Sequence, residues 1–139
     1  MSAAAELDKE ARFGPEFRGF WDEVRQGRLS FPKCRACGKQ HWYPMKRCPH
    51  CQADDIAWQP VSGRATLYTW SIVRHPFTPD LKARVPVTIG LVEFPDAPGI
   101  RLITELLDLK PEHIRIGMEL QAVFPAGNEP CPKVLFRAA

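Results

Sequence analysis

CRACGKQHWYPMKRCPHC, residues 34–51, holds four of the five cysteines of the chain, in two Cys-x-x-Cys pairs that ten residues separate. A Cys-x-x-Cys turn brings two thiolates to one ion, and two such turns supply the four sulfur ligands of a tetrahedral structural zinc site. The spacing therefore predicts a metal site formed by Cys34, Cys37, Cys48 and Cys51. Because four sulfurs close the coordination shell, no position remains for a catalytic water. The segment is therefore predicted to have a structural role.

Other interpretations of these thiols stay open at this level. Iron would bind the same four sulfurs in a rubredoxin-like site, although a scaffold of this kind favours zinc. A dithiol redox role needs only one reactive pair, so the second pair argues against it. His41 and His50 could each replace one sulfur, but four cysteines already fill the shell. Cys131, the fifth cysteine, lies in a proline-flanked loop and is interpreted as an incidental thiol or as a contact to substrate or partner.

The composition is that of a soluble globular protein. The 139 residues suffice for one domain or two very small ones, and the 14 prolines are about twice the average share, which favours short strands and turns over long helices. The N-terminus lacks the apolar run of a secretory signal, and no stretch approaches the ~20 apolar residues of a membrane span. We therefore expect a cytoplasmic protein, and in that reducing compartment paired Cys-x-x-Cys motifs indicate a metal.

Positive charge is concentrated on the cysteine segment. The net charge of the whole chain is +3, which is too small to indicate nucleic acid by itself. Between positions 33 and 47 there are five basic residues and no acidic one: Lys33, Arg35, Lys39, Lys46 and Arg47. The segment could suit a phosphate-bearing partner or an acidic protein surface.

The chain is predicted to have three parts: an N-terminal helical segment (1–28), a zinc ribbon (29–60) and a barrel (61–139). Apolar residues recur at helical spacing in the first part, charged residues occupy much of the other side, and Gly27 offers a stop. The apolar face consists of Phe13, Phe17, Phe20, Trp21 and Val24. Two interpretations of this face stand side by side: packing on the chain's own domain, or docking on a larger partner.

The third part contains five stretches in which apolar residues occupy every second position, as in half-buried strands. The predicted strands are 64–74, 86–94, 100–107, 118–125 and 132–138. The residues that align on one face are Tyr68, Trp70 and Ile72; Val87, Ile89 and Leu91; Ile100, Leu102, Thr104 and Leu106; Leu120, Ala122 and Phe124; and Val134 and Phe136. Turn residues separate the strands, which together favour a small antiparallel barrel. The expected fold class is mainly β with an N-terminal helix: a rubredoxin-like zinc ribbon followed by a five-stranded OB-fold barrel.

The sequence contains no motif of an autonomous enzyme. A nucleophile elbow, a phosphate-binding glycine loop and an HExxH motif are all missing. The four histidines are scattered, and the carboxylates are interpreted mostly as surface and turn residues. A third interpretation is a small hydrolase or thioesterase. The absence of an activated nucleophile from the sequence argues against it.

The order of these parts resembles a zinc-ribbon/OB-fold accessory family that occurs beside thiolases and related acyl-CoA enzymes, long labelled a domain of unknown function. The resemblance covers residues 13–138 and rests on the aromatic helix, the double knuckle, SGRATLYTWSIV at the barrel entry, the IGM turn and the final VLFR. Ala65 stands where many members carry glycine, and YPMKR stands where a Pro-Pro-Arg-like stretch is common.

The resemblance implies a non-catalytic subunit of a hetero-oligomer. Members of this family associate with thiolase-fold partners in thiolytic, acyl-condensing or aldol-type reactions, and the catalytic residues lie on the partner. The OB barrel would help to enclose the CoA thioester. These expectations come from the resemblance, and the absence of a catalytic set in the sequence agrees with them.

The connection after the first barrel strand, RHPFTPDLKAR (74–84), is the predicted ligand contact. OB-folds bind ligands with this connection and with the one between the fourth and fifth strands. Given the family resemblance, Arg74 and Arg84 would meet polar groups of a CoA thioester, and His75 and Phe77 would lie beside its acyl or pantetheine chain. The alternative is a solvated loop whose charges only maintain solubility.

The principal alternative function is a single-stranded nucleic-acid module. Zinc ribbons joined to OB barrels occur in such proteins, where Tyr68, Trp70 and Phe77 could stack bases while the basic ribbon holds phosphates. A strand-binding groove needs a basic stripe, whereas residues 61–139 have little excess charge. We therefore expect nucleic acid not to be the partner.

Overall fold

The computed structural model describes residues 13–124 and 132–139, so Cys131 lies outside the described residues. Within these ranges the chain forms one short α-helix, a two-stranded sheet and a five-stranded barrel. The helix is α1 (Arg18–Arg25), which follows a 3-10 turn at Pro15–Phe17. The strands are β1 (Leu29–Cys34), β2 (Ile56–Val61), β3 (Arg64–Val73), β4 (Val87–Phe94), β5 (Ala97–Leu106), β6 (Glu119–Val123) and β7 (Leu135–Ala138). In these ranges no helix has both the length and the apolar character to cross a bilayer.

Helix α1 packs on the chain's own ribbon and barrel. Phe20, Trp21 and Val24 are buried and belong to the hydrophobic core. The chain leaves the helix at Gly27, whose φ of 75° lies in the left-handed region that glycine adopts without strain. Both interpretations of the aromatic face therefore apply to part of it. Its inner residues belong to the chain's own core, whereas Phe13 is 47% exposed.

Strands β1 and β2 form the ribbon as an antiparallel pair that runs from Leu29 opposite Val61 to Cys34 opposite Ile56. Phe31 of β1 is fully buried, and its ring centroid lies 4.9 Å from that of Phe94 in β4. This contact continues the core of the barrel into the ribbon. The two parts consequently share one hydrophobic core.

Five strands close the barrel in the order β3-β4-β5-β7-β6. Neighbouring strands are antiparallel, except that β5 and β7 run parallel. An order in which the last two strands exchange places is that of a five-stranded Greek-key barrel of the OB type. The expected fold class is confirmed: a helix, a four-cysteine ribbon and a closed, mainly β barrel. The helical content of the connection between β5 and β6 is a single 3-10 turn at Pro111–His113.

The predicted inward faces are confirmed on the last three strands. The buried or half-buried residues there are Ile100, Leu102, Thr104, Leu106, Leu120, Ala122, Phe124, Val134 and Phe136. On β4 the prediction is wrong, because the innermost positions include Gly90, Val92 and Phe94, and Ile89 and Leu91 alternate with them in half-buried positions. Alternation cannot identify the inner face of a strand that is apolar on both faces.

A β-bulge interrupts β3. The pairing register with β4 shifts between Leu67 and Thr69. The sequence predicted that Tyr68 shares one face with Trp70. This prediction is wrong, because Trp70 is half-buried whereas Tyr68 is 43% exposed. The guanidinium of Arg101 lies over the Tyr68 ring at 3.9 Å from its centroid, a cation–π contact on the outer surface.

Candidate functional site

The four predicted metal ligands come together beyond the paired ends of β1 and β2. The sulfur atoms of Cys34, Cys37, Cys48 and Cys51 all lie within 4.8 Å of one another. Cys34 Sγ is 3.6 Å from Cys51 Sγ, and Cys37 Sγ is 3.7 Å from Cys48 Sγ. Four sulfurs at about 2.3 Å from a zinc ion would be about 3.8 Å apart in a regular tetrahedron. The donor set therefore fits one structural zinc ion.

Both knuckles have the same backbone pattern. The N–H of Gly38 donates to the carbonyl of Cys34 at 2.8 Å, and the N–H of Gln52 donates to the carbonyl of Cys48 at 2.9 Å. In each knuckle the N–H of the leading cysteine also donates to the carbonyl five residues later, at 2.9 and 2.8 Å. Gly38 and Gln52 have φ values of 77° and 68°. A left-handed residue directly after each cysteine pair thus closes the turn, and glycine takes this conformation without strain.

Backbone donors favour the thiolate form of Cys48, whereas the neighbouring thiols and burial raise the pKa of Cys51 to about 11. The N–H of His50 lies 3.3 Å from Cys48 Sγ. Burial raises the pKa of Cys48, but the N–H groups of Cys51 and His50 and the neighbouring thiols outweigh it and lower this pKa to about 7. Zinc binds thiolates, so these hydrogen bonds prepare the ligand.

Two arginine side chains beside the knuckles contact other residues of the ribbon. Arg35 forms an ion pair with Asp55 at 2.7 Å, and Arg47 donates to the carbonyl of Gln52 at 3.0 Å. His41 is buried, and burial followed by the charge of His50 lowers its pKa. Among the described residues, the group that could hold a metal contains the four cysteines and neither histidine.

An apolar cleft of about 560 Å³ lies between α1, the ribbon and the barrel. Aromatic side chains of the helical segment and the ribbon line one wall, and aliphatic side chains of the barrel line the other. These residues are Phe13, Phe17, Phe20, Trp21, Trp42 and Tyr43 on the first wall, and Val73, Val87, Ile89, Leu102 and Ile103 on the second. The volume is in the range of small-molecule sites, and the position is the face of the second and third barrel strands that OB-folds use for ligands.

The polar rim of the cleft comes from the two connections that OB-folds use for binding. Arg84, in the β3–β4 connection, places Nη2 at 2.6 Å from Oε2 of Glu105 on β5. Lys133 lies in the segment before β7 and also lines the cleft. This segment is held against β5, because the buried hydroxyl of Thr104 donates to the carbonyl of Val134 at 2.7 Å.

The four predicted contact residues divide between the cleft and the loop surface. Arg84 lines the cleft, whereas Arg74, His75 and Phe77 do not. His75 and Phe77 contact each other at the surface, with ring centroids 4.8 Å apart, and Phe77 is 75% exposed. The loop therefore presents two separate features, a cation at the cleft and an aromatic pair in solvent.

Sequence reasoning missed Lys133, Glu105 and Ile103, which line the same cleft. A signal for the last of these was present, since β4 and β5 carry apolar residues on both faces. An apolar outer position such as Ile103 indicates a covered surface or a site. Lys133 and Glu105 are distant from the 74–84 loop in sequence, and only the closed barrel brings them beside it.

Two family models match adjoining parts of the chain. Residues 21–57 match the rubredoxin-like zinc ribbon domain of ChsH2, and residues 58–125 match the C-terminal OB-fold domain of ChsH2. A DUF35 domain-containing scaffold protein of Pyrococcus furiosus is 30% identical over 111 residues, covering 80% of this chain and 71% of that protein.

Longer proteins contain the same unit. A probable enoyl-CoA hydratase alpha subunit of Thermomonospora curvata is 34% identical over 100 residues, which cover 71% of this chain but only 30% of that protein. Among solved structures, the Ltp2-ChsH2(DUF35) aldolase is similar with a TM-score of 0.79 and 26% identity. The match covers 90% of this chain and 95% of the solved chain.

Proposed function

Because the chain belongs to the ChsH2 (DUF35) family of zinc-ribbon and OB-fold proteins, we propose that it is a zinc-binding accessory subunit of a thiolase-superfamily complex. The complex acts on CoA thioesters by thiolysis, condensation or aldol-type cleavage. The catalytic residues lie on the partner, and this chain helps to enclose the thioester. The cytoplasmic location expected from the sequence forms part of the same proposal.

One observation carries the proposal: the chain combines a closed metal site with an open apolar cleft. The four cysteines would fill the tetrahedral shell of a zinc ion and would leave no position for a reacting water. The cleft has small-molecule dimensions and lies on the ligand face of the barrel. A fold that can bind a ligand, yet holds its metal in a closed site, suits a subunit that presents substrate to another protein's catalytic groups.

The loop 74–84 and the cleft would share the contact with the thioester. Arg84 is at the rim of the cleft, where its guanidinium can donate to polar groups of the ligand. Arg74, His75 and Phe77 lie on the exposed part of the same loop, where they would contact the part of the CoA thioester outside the cleft. The similar proteins named as a hydratase alpha subunit and an aldolase complex support a catalytic partner.

Co-purification tests the proposal. The tagged chain is co-expressed with each thiolase-superfamily protein of its host, and stable complexes are isolated by size exclusion. We expect one such protein to form a stoichiometric complex. If the chain binds none of them, and instead shifts single-stranded oligonucleotides in a salt-dependent manner, the accessory role is wrong and the nucleic-acid alternative holds.

A further inference from the structure

The two knuckles of the ribbon differ in how the rest of the fold supports them. In the first knuckle (residues 34–38), Cys34 is the last residue of β1 and pairs with Ile56 at the start of β2. The N–H of Arg35 donates to the carbonyl of Asp55 at 2.9 Å, and the Arg35 guanidinium also forms an ion pair with the Asp55 carboxylate. The first knuckle is therefore anchored to the two-stranded sheet.

The chain that leaves the first knuckle returns along the other edge of β1. The N–H of His41 donates to the carbonyl of Pro32 at 3.1 Å, and Gln40 forms an antiparallel β-bridge with Lys33. Backbone pairing therefore holds both the entry to the first knuckle and the exit from it. To open this turn, the protein must break contacts with its own sheet.

The second knuckle (residues 48–52) lies in the connection between β1 and β2, outside both strands. Its backbone hydrogen bonds join Cys48 to Gln52 and to Ala53, so they stay within the turn. The turn also closes on Gln52, with a φ of 68°, where the first knuckle has Gly38. A residue that carries a Cβ atom is strained in this left-handed region, whereas glycine is not. The second knuckle is therefore the less supported and the more strained of the two.

One side chain braces this strained turn. Arg47 stands directly before Cys48, and its Nη1 donates to the carbonyl oxygen of Gln52 at 3.0 Å. This hydrogen bond joins the residue that enters the second knuckle to the residue that closes it. Its donor is charged, and hydrogen bonds from charged donors are stronger than those between neutral groups. Arg47 therefore holds the second knuckle closed from its exposed side.

We propose that the second knuckle is the one that opens when zinc enters or leaves, and that Arg47 is the positioning residue that keeps it closed. When the second knuckle opens, the strain at Gln52 is released and one exposed hydrogen bond is lost. When the first knuckle opens, its contacts with the sheet are lost instead. Cys48 and Cys51 consequently leave the ion before Cys34 and Cys37. The inference concerns the chain's own metal centre and does not depend on the accessory role.

The rate at which the full zinc-loaded chain transfers zinc to an excess of a chromophoric chelator tests the role of the strain. Gln52→Gly should slow the transfer by about fivefold, because glycine adopts this φ without strain. Gly38→Ala is the matched control: it strains the first knuckle, where nothing lies within 4 Å of the added Cβ atom. We expect this variant to transfer zinc at nearly the parent rate. An unchanged rate in Gln52→Gly, or a clear acceleration in Gly38→Ala, would overturn the proposal.

A second pair of variants tests the role of Arg47. Arg47→Ala should accelerate the transfer by about threefold, the scale of one lost hydrogen bond. Lys46→Ala removes the neighbouring exposed cation but keeps the bond from Arg47 to Gln52, and should leave the rate unchanged. In a Gln52→Gly background, Arg47→Ala should have a smaller effect, because no strained residue remains to be braced. Equal acceleration by Arg47→Ala and Lys46→Ala would show that net charge is responsible, and the assignment of Arg47 would be wrong.

Alkylation of the zinc-loaded chain measures the order of opening directly. The chain is treated with a limiting amount of N-ethylmaleimide, and mass spectrometry identifies the modified cysteines. Each knuckle has one buried and one exposed cysteine, so Cys51 is compared with Cys37, and Cys48 with Cys34. We expect Cys51 and Cys48 to be modified ahead of their counterparts. Equal modification of the two knuckles, or the reverse order, would overturn the inference and leave the accessory role untouched.

Discussion

The indole of Trp58 occupies the space beside Gly19 in which any other residue would place its side chain. A Cβ atom added at Gly19 would lie 2.7 Å from Cζ2 of Trp58 and closer still to Nε1 and Cε2. The backbone of helix α1 at Gly19 therefore packs directly against the indole ring of Trp58 on strand β2. This contact sets the position of the helix on the ribbon and thereby places Phe17 in the wall of the cleft.

Gly19→Ala should destabilise the protein, although alanine favours a helix by about 1 kcal/mol relative to glycine. The added methyl group must displace the indole, and overpacking of this kind costs about 1–3 kcal/mol. Urea unfolding of the zinc-loaded protein measures the change. In a Trp58→Ala background the methyl group has room, so there the same substitution should be neutral or stabilising. An equal loss in both backgrounds would show that the contact is not the cause.

Glu23 joins the end of α1 to the start of β1. Its carboxylate accepts hydrogen bonds from Arg28 at 2.8 and 2.9 Å and from the hydroxyl of the fully buried Ser30 at 2.9 Å. The bond from Arg28 is the largest cause of a lowered pKa of Glu23, while burial acts in the opposite direction. The stabilisation is therefore present above the ordinary pKa of a glutamate and is lost as the pH falls through the lowered value.

Glu23→Gln should reduce the free energy of unfolding by about 1 kcal/mol at neutral pH. The difference from the parent chain should disappear as the pH falls below about 4, because protonation removes the same charge. Asp22→Asn is the control: Asp22 is 66% exposed, and its pair with Arg25 contributes little. A difference that stays constant across this pH range would show that the charge of Glu23 is not responsible.

Cys48→Ser should release the metal and unfold the ribbon. The binding energy of a four-thiolate zinc site is folding energy, so its loss should remove one zinc per chain and the dispersed amide signals of residues 29–60. Elemental analysis and NMR measure these two effects. Cys131→Ser removes the cysteine that belongs to neither Cys-x-x-Cys pair and should keep the zinc. A chain that is free of zinc yet has an ordered ribbon would contradict the structural role of the metal.

Arg74→Ala or Arg84→Ala should weaken CoA-thioester binding by the assembled complex by about 1–3 kcal/mol, the scale of a lost hydrogen bond to a charged group. Assembly with the catalytic subunit should survive, because both side chains lie on an exposed loop. Arg64→Ala is the control, since Arg64 is 68% exposed and pairs at 3.9 Å with Glu119, away from the cleft. Unchanged affinity in both loop variants would remove this loop from the ligand site.

The metal centre and the barrel could be predicted from the sequence because both depend on local patterns. The two Cys-x-x-Cys pairs fix the ligand set through turn geometry alone, and alternation located five strands to within a few residues. The faces of β3 and β4 could not be predicted. A bulge at Tyr68 changes the alternation, and β4 is apolar on both faces.

The cleft could not be predicted, because its parts are distant in the chain. Tyr43 of the ribbon, Ile103 of β5 and Lys133 before β7 meet only after the barrel closes and α1 packs on the ribbon. The sequence did indicate the aromatic helix, but it could not show which of its aromatic residues are buried. In the structure Trp21 is part of the core, whereas Phe13 remains exposed at the edge of the cleft.

The accessory role is tested most directly by CoA-thioester turnover, measured for the chain alone, for the co-purifying thiolase-superfamily subunit alone, and for their complex. We predict no turnover by the chain alone and a faster reaction by the complex than by the partner alone. The added rate should be lost with Cys48→Ser, which removes the ribbon, and kept with Cys131→Ser. Turnover by the purified chain alone, or a partner whose rate does not change when the chain is added, would contradict the accessory role.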